Sequence, residues 1–132
     1  MQNSFYLFEN FIDKINQKQI PLVNLRYKPY DSENAYSGDY DFFTSKEYIP
    51  EILQTIFDLA SALNISFTID LTKYTKTKIV LFDDYNKNII LEIWSSLEVR
   101  DPDSQTLKYI FWEDVKNHLV DGTNTKYALP LE

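Results

Sequence analysis

The chain has 132 residues, 44% apolar and 16% aromatic, which is one domain's worth of sequence with ample material for a packed core and argues against disorder. It has no cysteine, which excludes a disulfide framework and a thiolate metal site, and its net charge of −7 disfavours general binding to nucleic-acid backbones. Met1 is followed by QNSFYLFENF, with no basic segment and no long apolar run, so the expectation is a cytoplasmic protein without a signal peptide or a membrane partner.

Residues 3–18, NSFYLFENFIDKINQK, predict a helix with Phe5, Phe8, Ile12 and Ile15 on one buried face. Pro21 follows its end. LVNLRY (22–27) then reads as a strand, KPYDSENAYSG as a polar turn segment, and DYDFFT (39–44) as a second strand. IPEILQTIFDLASALN (49–64) predicts an amphipathic helix with Pro50 in its first turn and Ile52, Ile56, Leu59 and Leu63 facing inward. Three strand-like runs follow, ISFTIDLT (65–72), KIVLFDD (78–84) and NIILEIWS (88–95), joined by the turns YTKT and YNKN. RDPDSQ is a loop, TLKYIF a short strand and WEDVKNHLV a short closing helix. The chain stops on KYALPLE with no terminal element in the pattern, which fits either an added remnant in the final pair or a domain cut from a longer protein. A helix between the second and third strands, with hairpins afterwards, predicts a single α/β (α+β) domain over 1–132. Its mixed sheet would have about four to six strands, with helices mainly on one face.

The segment with most chemistry is YSGDYDFFTS (36–45). Gly38 is the only glycine in the first 121 residues, and it stands directly before a D-x-D pair. Alternation along a strand points Asp39 and Asp41 the same way, with Tyr40 and Phe42 on the other face. Two carboxylates about 7 Å apart on one strand repel unless water or a cation lies between them. Magnesium takes hard oxygen ligands, and paired carboxylates with substrate phosphates suit it. Gly38 leaves room for a phosphate to approach the backbone. A solvated pair of strand-end acids is the plainer alternative. Glu92, in the middle of the most apolar strand, argues for the cation, because an unpaired carboxylate buried there is costly. It requires solvent, a cationic partner or a metal; Asp70, in FTIDLT, is the competing third acid.

These motifs carry a resemblance. NLRY (24–27), GDYDFF (38–43) and LEIW (91–94), in this order, resemble the nucleotidyltransferase fold of the DNA polymerase β-like superfamily. The likeness is strongest to small bacterial members linked to polysaccharide biosynthesis, and it covers residues 20–115. It implies a metal-dependent transfer of a nucleotidyl group to a hydroxyl acceptor. Mg²⁺ or Mn²⁺ would be the cofactor and a nucleoside triphosphate the co-substrate. Asp39, Asp41 and Glu92 match the metal-binding and catalytic acids, and Arg26, Ser37 and Gly38 match substrate- or phosphate-binding positions. The chain departs from the pattern at two points. Its third acid is glutamate where aspartate is usual, and the customary Gly-Ser pair appears only as Ser37-Gly38, reversed and adjacent to the acids.

The other residues have blander readings. His118 reads as a surface or helix-end residue, Trp94 and Trp112 as core, and Lys73, Lys76 and Lys78 as a solvated hairpin tip, with a phosphate-contacting patch the alternative. Ten tyrosines in an acidic chain suit a protein-binding surface. Two further functions are therefore carried forward: an acidic interaction protein of antitoxin or immunity type, and a degenerate nucleotidyltransferase module with a regulatory role.

Overall fold

The computed structural model describes residues 3–25, 39–73, 75–82, 88–117 and 127–128. The helical spacing of apolar residues near the N-terminus produces α1 (Asn3–Gln17), which buries Leu7, Phe8, Phe11, Ile12 and Ile15. The second amphipathic stretch forms α2 (Ile49–Leu63), with Pro50 in its first turn, where the missing N–H costs no hydrogen bond. It buries Ile52, Thr55, Ile56, Leu59 and Ala60, while Leu63 is partly buried at the edge of the core. The helices pack together, and the Lys18 ammonium donates to Thr55 Oγ1 at 2.8 Å across their junction.

Eight strands lie among the described residues: β1 (Val23–Asn24), β2 (Asp39–Phe43), β3 (Phe67–Lys73), β4 (Lys76–Leu81), β5 (Ile89–Trp94), β6 (Ser96–Arg100), β7 (Leu107–Phe111) and β8 (Tyr127–Ala128). Six of them form one sheet in the order β3-β4-β5-β2-β1-β8. β3, β4 and β5 are an antiparallel meander, β2 runs parallel to β5, and β1 is antiparallel to β2. The fold is therefore α+β with a mixed sheet. Ile79, Leu81, Ile89, Leu91, Ile93, Tyr40 and Phe42 share one core with both helices, so α1 and α2 cover the same sheet face.

Several element boundaries differ from expectation. β3 begins at Phe67 rather than 65, and β4 spans Lys76–Leu81 rather than 78–84, because Lys76 and Thr77 pair with Trp94 and Ile93 of β5. The segment after β5 does not pass straight into a loop. Ser96–Arg100 folds back on Leu107–Phe111 as a separate two-stranded sheet. The closing helix is a single turn, α3 (Trp112–Val115), and His118 lies outside the described residues. The tail supplies an element after all, since Val23 and Asn24 pair in parallel with Tyr127 and Ala128. A two-residue strand carries too little apolar patterning to be read without its partner.

Glycine is so scarce that other residues take the left-handed backbone positions: Gln19 (φ 58°) after α1, Asn64 (φ 55°) closing α2, and Gln105 (φ 60°) in the β6–β7 turn. Asparagine tolerates this region; glutamine does so at a steric cost. Gln19→Gly is expected to raise the unfolding free energy by about 0.5–1 kcal/mol, the left-handed cost less glycine's entropic loss. A urea midpoint that fails to rise would show that the Gln19 side chain contributes more than its backbone loses.

At the start of the β6–β7 turn, Asp101 Oδ1 accepts the Asp103 N–H at 2.9 Å. That bond, with further bonds from Ser104, holds the Asp101 carboxyl below the usual carboxylate range. A depressed native pKa stabilises the fold above the unfolded value and is lost as pH falls through the native one. Asp101→Asn should therefore flatten the acid limb of the stability profile slightly. An unchanged profile would remove the turn from the acid response.

Candidate functional site

β2 and β5 lie side by side near the middle of the sheet, and their register decides the site. Asp39 pairs with Ile90, Tyr40 with Leu91, Asp41 with Glu92, Phe42 with Ile93 and Phe43 with Trp94. Residues paired across neighbouring strands share a face. Tyr40, Phe42, Leu91 and Ile93 are buried under the helices, so Asp41 and Glu92 stand together on the opposite face. The β4 and β5 burial patterns agree, with Thr77, Ile79 and Leu81 more buried than Lys76, Lys78 and Val80.

Asp41 is only 7% exposed. Its backbone C=O accepts the Leu25 N–H at 2.9 Å, and its Oδ1 accepts the Trp94 indole N–H at 3.5 Å. The β2–β5 ladder runs on past the site, where the Thr44 N–H donates to the Trp94 carbonyl at 3.0 Å and Thr44 Oγ1 donates to the Pro21 carbonyl at 2.6 Å. These bonds anchor the strand that carries the acids.

Glu92 has the cationic partner that its position demands. Lys76 Nζ lies 3.6 Å from Glu92 Oε2, with the two side chains 18% and 16% exposed. The same ammonium stands 5.0 Å above the Trp94 ring. Asp41, Trp94, Lys76 and Glu92 thus form one connected group on the face opposite α1 and α2. Lys76 is therefore not part of a solvated tip, and Trp94 is not core beneath the helices. Both roles were legible in part: KTK places Lys76 and Lys78 on one strand face, and EIW places Trp94 two residues from Glu92. Neither segment says which strands are neighbours. Trp112, the other tryptophan, packs its ring against buried Phe43, 6.1 Å between centroids.

Asp70, the competing third acid, pairs with Lys78 on β3, and Lys78 in turn pairs with Glu92. Two strands, β4 and β5, separate it from β2, so Glu92 and not Asp70 is the neighbour of Asp41. Asp39 occupies the β2 position two residues before Asp41, and of Asp39 the structure describes the strand position alone. Arg26, Ser37 and Gly38 lie outside the described residues. Among the described residues, no group of three or more acid, histidine or cysteine side chains could hold a metal ion.

The pair of Asp41 and Glu92 suits a hard cation by its donor chemistry: carboxylate oxygens on adjacent strands, with further ligands to come from water or a substrate phosphate. No helix among the described residues is long and apolar enough to cross a membrane. Compared with protein-family models, curated proteins and solved structures, the chain matches none of them.

Proposed function

We propose that the chain is a nucleotidyltransferase-like domain that binds Mg²⁺ or Mn²⁺ together with a nucleoside triphosphate and transfers a nucleotidyl group to a hydroxyl acceptor. The observation that carries this reading is the parallel register that sets Asp41 beside Glu92 on the sheet face opposite α1 and α2. Asp39 and Asp41 would hold the cation, and Glu92 would orient the acceptor hydroxyl or take its proton. The cation supplies neutralisation of charge on the transferring phosphoryl group. Arg26, Ser37 and Gly38 are the proposed contacts to the phosphates, and a setting in polysaccharide biosynthesis follows from the resemblance alone.

The ion pair of Lys76 with Glu92 favours a second reading, a degenerate module of the same fold in which lysine stands permanently in place of the metal. One experiment separates the two. Melting curves are recorded in millimolar MgCl₂ or MnCl₂, with and without nucleoside triphosphate, against NaCl at matched ionic strength. The match matters because a chain of net charge −7 gains from screening alone. A ligand that binds only the native state adds RT ln(1 + [L]/Kd), about 2.7 kcal/mol at a hundredfold excess over Kd. The expected result is a melting point several degrees above the NaCl control. Superimposable curves in every condition, metal with nucleotide included, would favour the degenerate module.

A further inference from the structure

Glu92 is held by a lysine in the same place where the proposed function puts a divalent ion. We propose that Lys76 is the built-in cation of the acid pair: it neutralises Glu92 in the metal-free protein, and a divalent ion binds at Asp41 and Glu92 only in exchange for it. The first half stands on geometry alone; the second rests on the proposed function.

Three observations carry the assignment. Asp41 and Glu92 are in register on neighbouring strands, a like-charge arrangement that destabilises a sheet when uncompensated. Lys76 Nζ reaches Glu92 Oε2 at 3.6 Å in a part-buried setting, where the attraction is screened less than on the open surface. Trp94 joins the two sides: its indole N–H donates to Asp41 while its ring face lies 5.0 Å below the Lys76 ammonium. That ring gives the lysine a second resting place. When a divalent ion takes Glu92, the ammonium can stay over the indole without losing all compensation for its desolvation. Lys78 is the natural comparison, because it sits directly opposite Glu92 on β4, whereas Lys76 reaches it from the neighbouring pair.

The test uses Lys76→Gln, Glu92→Gln, the double variant and Lys78→Gln, with two readouts. In metal-free buffer, Lys76→Gln is expected to lower the melting temperature by about 2–4 °C, and by less than about 1 °C in the Glu92→Gln background. The lost contact with Trp94 is common to both backgrounds and cancels in the cycle. Equal shifts in the two backgrounds would overturn the first half. In Mn²⁺ titrations followed by the paramagnetic resonance signal of the free ion, Lys76→Gln is expected to bind about tenfold more tightly than wild type, and Glu92→Gln should erase that gain. Equal or weaker binding by Lys76→Gln would overturn the exchange, and an equal gain from Lys78→Gln would show that general charge is responsible. If neither wild type nor Lys76→Gln binds Mn²⁺ while the coupling persists, Lys76 stands as the permanent cation. The exchange and the metal-dependent reading then fall together.

Discussion

Phe42→Ala should lower the unfolding free energy by about 3–5 kcal/mol through the cavity it leaves. The Phe42 ring is fully buried, lies 6.4 Å from the Phe8 ring of α1, and belongs to the core that includes Ile52 and Ile56 of α2. It pairs in register with Ile93, itself buried, so the space vacated has packed side chains around it and collapses only in part. Tyr40 makes a closer approach to Phe8, 4.5 Å between ring centroids, so the aromatic contacts of β2 run to α1 as well as to the core under α2. Urea unfolding of Phe42→Ala should show a lower midpoint with an unchanged slope, the mark of altered stability rather than altered compactness. Tyr6→Ala, at a half-exposed site on α1, is the control, with an expected change within about 0.5 kcal/mol. If Phe42→Ala behaved like that control, β2 would be one residue out of register and the acids would face the helices.

Asp41→Asn should abolish the metal-specific rise in melting temperature. The proposed function requires that any nucleotidyl transfer fall by about 10³-fold or more, the scale of several kcal/mol of charge stabilisation at the reacting phosphorus. The substitution keeps the shape of the side chain and a carbonyl oxygen for the Trp94 indole, so the effect isolates the charge. A metal-free variant that melts as wild type does but has lost the metal response is the signature of a cation site. A variant that kept the full metal response would place the ion elsewhere on the molecule.

The register that these variants probe was legible only in pieces. Alternation within DYDFF separates the acids from Tyr40 and Phe42 whatever the neighbouring strand is, because the pleat has a period of two residues. The same logic marks Glu92 as anomalous within NIILEIW. Both helices follow from their apolar spacing, and their limits fall within a residue of expectation, since a helix is specified by contacts close in sequence.

What the sequence determined alone, then, is local: the two helices, the central strands, and the phase that places Asp41 and Glu92 away from the helical core. Tertiary structure decided which strands adjoin. The parallel pairing of β2 with β5 joins residues separated by α2 and the β3–β4 hairpin, and it makes Glu92 rather than Asp70 the neighbour of Asp41. It also decided that Lys76 leaves solvent to meet Glu92 and Trp94, and that a two-residue strand near the C-terminus extends the sheet. Such outcomes depend on backbone hydrogen bonds between distant segments. Those bonds are the same for every residue type except proline and leave no pattern in the side chains that either segment carries.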